Sequence, residues 1–243
     1  MKLKIPMVAL GVGLWAMGLL VAPAAKAVSL DFNIGAPTAG TVSYAGGSTA
    51  LIGTGIEVDN VVGLGTPANS NVTSVCLSCV LNFNTGTLIS AGGPPSSGSN
   101  NGWWSFGSSG SVTITGGVDL QGTTTDIALG STLLNGTFNS AFVQDLGTQG
   151  FKVTFGTFSD TKHPDLLTYY GLTAETPFQG AFTLLFASPN PGTGGAFTST
   201  SIFSGNVVNT VDVAPVPLPG AVLLFGSGLM GLVPMLRRYY SAL

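Results

Sequence analysis

The sequence predicts an all-β body, an antiparallel β-sandwich of jelly-roll type, between an N-terminal signal helix and a C-terminal transmembrane helix. Three observations predict it. Short runs between residues 28 and 213 alternate apolar and polar side chains with a period of two, which lays one face of each run on a core. Gly, Asn, Ser and Pro interrupt these runs, and 36 of the 243 residues are glycine. That is the density of turn signals that many short strands need. No part of the body holds a sustained 3.6-residue apolar period, so no long internal helix is expected.

Taken in order, Val28–Phe32 (Val-Ser-Leu-Asp-Phe) alternates and opens the body as a strand. Thr41–Tyr44 and Ala50–Val58 continue the pattern, with Gly46-Gly47 and Gly53 as breaks, and Val61–Leu64 is short and apolar. Pro67–Thr73 is a polar loop. Val80–Ile89 alternates and breaks at Gly86. Ala91–Gly102, rich in Gly, Pro, Ser and Asn, is a surface loop. Trp103-Trp104-Ser105-Phe106 follows it. Ser111–Thr115 is a period-two strand bounded by Gly110 and Gly116-Gly117. Within Ile127–Phe138, Asn135-Gly136 is a hairpin signal. Phe151, Val153 and Phe155 share one strand face. Thr161–Gly171 is the least strand-like stretch and fits one or two helical turns, with Pro164 at the first helical position. Phe178–Phe186 is a buried strand and Pro189–Gly195 a turn region. Phe197–Val213 supplies closing strands broken at Gly205-Asn206. Short phrases such as Asn-Gly-Thr-Phe and Phe-Gly-Thr-Phe recur at no fixed period, which is shared turn chemistry and no repeat array.

Charge is sparse and uneven. Only 7% of residues are charged, and all ten acidic residues lie between Asp31 and Asp212, where Lys152 and Lys162 are the only bases. So acidic a body repels phosphate backbones, which excludes nucleic acid as a partner. The remaining bases sit at the two ends. Lys2 and Lys4 precede an apolar run, Val8–Val21, and Ala25-Lys26-Ala27 follows it as a small-residue site. This is the layout of a secretory signal with cleavage between Ala27 and Val28. At the other end, Gly220–Leu236 carries no charge. At about 1.5 Å per residue it spans roughly 25 Å, the short end of a bilayer crossing. Pro215, Pro217 and Pro219 isolate it from the body, and Arg237-Arg238 stop it on the cytoplasmic side. The expected organisation is a signal peptide (1–27), an extracytoplasmic body (28–213) and a C-terminal segment (214–243).

The motif Val216-Pro217-Leu218-Pro219, the run Leu-Phe-Gly-Ser-Gly-Leu-Met-Gly-Leu at 224–232 and the pair Arg237-Arg238 together resemble the PEP-CTERM sorting signal of exported bacterial proteins. Leu218 stands where that family's eponymous motif has Glu. The resemblance covers about the last tenth of the chain. It implies an exosortase-like membrane transpeptidase as a partner, a membrane-lipid stage before processing, and then the cell envelope or an extracellular polysaccharide matrix. It implies sorting, and no activity of the body.

Inside the body the candidate chemistry is thin. Cys76-Leu77-Ser78-Cys79 reads as a local disulfide, as free thiols, or as a redox or metal pair. A straight strand would put residues three apart on opposite faces, so the disulfide requires a turn. A zinc site needs about four ligands, and one His with one Cys pair falls short. No cofactor is expected. His163, flanked by Asp160 and Asp165, invites a catalytic reading, but a lone His in a loop near Pro is more commonly a surface residue. Glu57 and Asp59 share a strand face, and a glycosidase pair would also require a facing carboxylate at a set distance. Alternation puts Trp103 and Trp104 on opposite faces, so at least one belongs to the core, and one on the outside could stack on a sugar ring. Asn71-Val72-Thr73 and Asn135-Gly136-Thr137 match glycosylation acceptors. The expected function is a non-enzymatic exported surface or matrix protein, with a membrane-anchored carbohydrate-binding module as the alternative.

Replacing Arg237 and Arg238 by neutral residues is expected to weaken retention in the membrane. Unchanged membrane fractionation and processing of that variant would refute this reading of the tail.

Overall fold

The computed structural model describes residues 27–93, 102–121, 126–147, 150–174, 176–189 and 192–211. The expected signal helix, the motif Val216-Pro217-Leu218-Pro219, the span 220–236 and Arg237-Arg238 lie outside the described residues, as does most of the Ala91–Gly102 loop. Ala27–Asp212 form one compact unit.

Twelve strands and one short helix make up the body. They are β1 (Ser29–Ile34), β2 (Thr41–Tyr44), β3 (Ala50–Leu64), β4 (Thr73–Gly92), β5 (Trp103–Phe106) and β6 (Gly110–Asp119). Then come β7 (Ile127–Phe138), β8 (Ala141–Asp145), β9 (Phe151–Lys162), the helix α1 (Pro164–Tyr169), β10 (Phe178–Ala187), β11 (Phe197–Thr198) and β12 (Ser201–Val211). All pairings are antiparallel and join the strands in one sheet, ordered β11-β2-β3-β1-β12-β10-β9-β7-β6-β4-β5-β8, with β3–β4 and β9–β8 as further pairs.

These extra pairs close the sheet. β1 and β2 lie end to end beside β3, β6 and β5 beside β4, and β7 and β8 beside β9, while β12 and β11 pair with β1 and β2 in turn. The twelve strands therefore make eight staves. Each stave pairs with the next in sequence, and the last pairs with the first through Ser29↔Thr210 and Phe32↔Val207. The antiparallel all-β expectation holds. The connectivity is up-and-down and lacks the Greek-key crossing that a jelly roll requires. A closed sheet of about eight strands has an interior that side chains just fill. The interior is largely apolar, with Ser74, Thr85, Asn209 and Lys162 among its buried polar groups, and the outward faces carry Thr, Ser, Asn and carboxylates beside exposed Ile89, Leu129 and Phe142.

Aromatic rings fill the interior, and glycines make room for them. Phe83 lies directly across from Gly53, Phe138 from Gly110, and Phe158 from Gly180. A Cβ at any of these three glycines would sit 2.1 Å from the opposite ring. The freed space lets Phe155 pack on Phe83, Phe138 and Phe182 at centroid distances of 4.8, 4.7 and 4.5 Å. A second cluster joins Phe151 to Phe186 and Phe197 at 5.5 and 5.8 Å, with Trp104 5.5 Å from Phe197.

Several expected breaks are therefore strand interior. β3 runs through Gly53 and β4 through Gly86. Asn135-Gly136 is no hairpin, because β7 continues through it, pairing Asn135 with Thr113 on one side and Thr161 on the other. Gly136 is needed for space, since a Cβ there would meet Asp160 Cβ at 2.9 Å and Phe158 Cδ2 at 3.0 Å. β12 likewise runs through Gly205-Asn206, and the interruption falls at Ser199-Thr200 instead. The expected helix forms as α1, with Pro164 at its start and His163 as its N-cap. It buries Leu166, Leu167 and Tyr169, while Tyr170 beyond it covers Gly63 and places its hydroxyl 3.2 Å from the Val61 carbonyl.

Truncating Phe155 to Ala removes a buried ring that touches three others. It is expected to cost about 3–5 kcal/mol of folding stability, read as a lower urea midpoint. An unchanged midpoint would contradict this packing.

Candidate functional site

The two cysteines are brought together by a bulge. On the ladder to β6, Leu77 faces Gly117, but the next pair is Val80 with Thr115, so β4 carries an extra residue. Ser78 absorbs it with φ of 51°. The inward set consequently shifts phase, from Ser74 and Cys76 before the bulge to Cys79, Leu81 and Phe83 after it. The bulge does what the sequence reading required of a turn. Both sulfurs are free thiols. Cys79 is 1% exposed, and its thiol donates to the Gly117 carbonyl at 3.1 Å. Cys76 is half-buried at the rim of the core. The interaction between the two side chains holds the Cys79 thiol below its usual range and, with burial, pushes that of Cys76 up.

At the end of β9 alternation points Phe158, Asp160 and Lys162 inward. The Lys162 ammonium lies 2.6 Å from Asp160 Oδ1 and 3.6 Å from the centre of the Phe178 ring. Both side chains are fully buried. Burial pulls Lys162 down to about 8, against the opposing pull of Asp160. It also pushes Asp160 up. Sequence reasoning counted Lys162 as one of two bases and missed this pair. The available signal was Asp-x-Lys continuing the inward phase of Phe158.

Of the carboxylates flanking His163, Asp165 stays beside it, with Oδ2 3.8 Å from Nδ1, and Asp160 turns away. Asp160 faces Lys162, away from any partnership with His163. His163 uses Nδ1 to accept the Asp165 N–H at 3.3 Å and caps α1. Glu57 and Asp59 share the outward face of β3, and Asp59 accepts the Gly35 N–H. A recess of about 250 Å³ lined by Asn135, Gly136, Thr137, Ser159, Asp160 and Thr161 is shallow and gathers no further titratable group. Among the described residues no group of three His, Cys, Asp or Glu side chains is placed to hold a metal, and no helix is long and apolar enough to cross a membrane.

The tryptophans part as alternation requires. Trp104 is 1% exposed inside the core. Trp103 lies on the outer face over Gly92, where a Cβ would come within 2.6 Å of the indole. It stacks on Phe142 at 5.9 Å and 21°, and Phe142 is 42% exposed. Gln144 pairs with Trp103, and Ser105 and Thr154 flank Phe142. At the start of the body Ala27 is exposed, and the carbonyl of Val28 accepts the Val211 N–H at 2.8 Å.

No model of a known protein family, no curated protein and no solved structure matches the chain.

Two outcomes are expected at the ion pair. Lys162→Ala leaves a buried carboxylate unpaired and should cost about 3–5 kcal/mol, whereas Lys162→Met with Asp160→Leu should recover most of that loss. Lys162 holds its proton less tightly folded than unfolded, so the unfolded chain binds more protons between about 8 and the ordinary value of 10.5. Stability should therefore rise with pH across that window. Urea midpoints from pH 7.5 to 10.5 check this, and the same rise in the double variant would refute it.

Proposed function

We propose that the chain is an exported, non-enzymatic protein of the cell envelope or extracellular matrix, sorted through its C-terminal segment. Its body is a self-contained unit that tolerates processing at both ends. One observation carries this. The first and last strands of the body pair with each other, Ser29 opposite Thr210, and Val28 bonds Val211. Among the described residues every core side chain lies between Leu30 and Val207, with Val211 packed against it. Cuts after Ala27 and near Pro215–Gly220 therefore fall outside this core. In this reading Pro217 and Pro219 are recognised by an exosortase-like transpeptidase. Residues 220–236 cross the membrane, and Arg237 and Arg238 hold the cytoplasmic end. The body is read as a flattened, sandwich-like barrel held outside the membrane.

Intact mass of the protein from its native envelope and medium tests the reading. A form beginning near Val28 and ending between Pro215 and Gly220 is expected. A form that retains Arg237 and Arg238 throughout would refute sorting by cleavage.

A second reading, carbohydrate binding, is favoured by the outward stack of Trp103 on Phe142 beside Gln144, Ser105 and Thr154. Aromatic faces flanked by amide and hydroxyl groups suit the C–H faces and hydroxyls of a sugar. Trp103→Ala should abolish binding to a neutral-glycan array while leaving the fold intact. Trp104→Ala should instead cost about 3–5 kcal/mol of stability. Equal glycan binding by wild type and Trp103→Ala would refute the site.

A further inference from the structure

We propose that Cys76 and Cys79 form a reversible dithiol–disulfide pair, in which Cys76 is the entry thiol and Cys79 the resolving thiol, and whose co-substrate is a disulfide compound. This goes beyond sorting and does not depend on it.

The argument begins with position. Without the extra residue at Leu77–Ser78 the two cysteines would face opposite sides of β4, and no bond could form between them. The bulge puts both on the inward side of one strand while the thiols are free. Gly116, across the ladder, keeps the space open, since a Cβ there would lie 2.7 Å from the Cys79 sulfur.

The two thiols are not equivalent. Cys76 is half-buried at the edge of the core, whereas Cys79 is buried and hydrogen-bonded to Gly117. An external disulfide can reach only Cys76. The reactive species in exchange is the thiolate, attacking along the axis of the bond it breaks. Cys76, whose thiol is pushed up in the resting protein, gives its proton to the leaving half of the donor as its sulfur attacks the donor's other sulfur. The Cys79 sulfur, on the same inward side of the strand, then attacks Cys76 Sγ. The second half of the donor leaves with the Cys79 proton. Two protein thiols and one disulfide thus become one protein disulfide and two small thiols. The two electrons lost by the protein are gained by the donor. A dithiol reverses the steps.

The pair encloses only Leu77 and Ser78, so its bond constrains a very short loop and restricts the unfolded chain little. That suits a bond made and broken in the folded protein better than one that holds the fold together.

The test uses the full chain, purified reduced, treated with oxidised glutathione at neutral pH, quenched with acid and followed by intact mass. Wild type is expected to pass through a single glutathione adduct mapped to Cys76 and to end lighter by two hydrogens, with dithiothreitol restoring both thiols. Cys79→Ser should stop at the adduct on Cys76. Cys76→Ser should remain unmodified, because the buried Cys79 cannot be reached, which keeps the proposal testable even if the other variant folds poorly. A stable adduct in the wild type, an adduct on Cys79 in Cys76→Ser as fast as that on Cys76, or two thiols that persist while a free cysteine peptide in the same tube reacts would each overturn the proposal.

Discussion

The cross-strand pairing of an aromatic ring with a glycine is the contact on which the rest of this body depends. A glycine inside a strand costs about 0.5–1 kcal/mol relative to alanine. A buried phenylalanine gains about 1.5–3 kcal/mol, and aromatic pairs add about 0.5–1.5 kcal/mol beyond area. The balance favours the exchange only if the ring lies where the missing Cβ would have been. At Gly53–Phe83, Gly110–Phe138 and Gly180–Phe158 it does. These pairs also fix register. A slip of one residue would put a ring opposite a side chain and turn the apolar face outward. The three pairs hold register between β3 and β4, β6 and β7, and β9 and β10.

The features with chemical character are consequences of that frame. The bulge in β4 resets the inward phase so that Leu81 and Phe83 reach the core, and in doing so it places Cys79 beside Cys76. The inward phase of β9 carries beyond Phe158 to Asp160 and Lys162 at the end covered by α1. Ion pairing and the Phe178 ring offset part of the desolvation that burial of the two charges brings. On the outside, Gly92 lets the Trp103 indole lie against the sheet and meet Phe142. One device, a glycine opposite a ring, thus serves both faces.

The all-β character and many strand positions were legible in the sequence because alternation is a local signal. Thr41–Tyr44 and Phe178–Phe186 needed nothing else, and Pro164 marked its helix through its fixed φ. What was not legible depended on partners far along the chain. Asn135-Gly136 has the composition of a hairpin turn, yet Asp160 and Phe158 require the glycine where it stands in mid-strand. Gly86 and Gly205 misled for the same reason: a local rule treats glycine as an interruption, while the fold uses it as space. The bulge at Ser78 and the inward Asp160–Lys162 pair were hidden because each is a matter of phase, set by the cross-strand ladder. The closed up-and-down connectivity was hidden because pairing of the first stave with the last spans almost the whole body.

The central claim is tested most directly by a double-mutant cycle on Gly180 and Phe158, with stability read from urea denaturation. If the ring occupies the space of the missing Cβ, Gly180→Ala should destabilise the native background by about 1–3 kcal/mol from overpacking. In a Phe158→Ala background, where the ring is gone, the same substitution should be neutral or stabilising, as expected for alanine in an open strand. A coupling of about 1 kcal/mol or more is then predicted. Equal effects of Gly180→Ala in the two backgrounds would contradict the account.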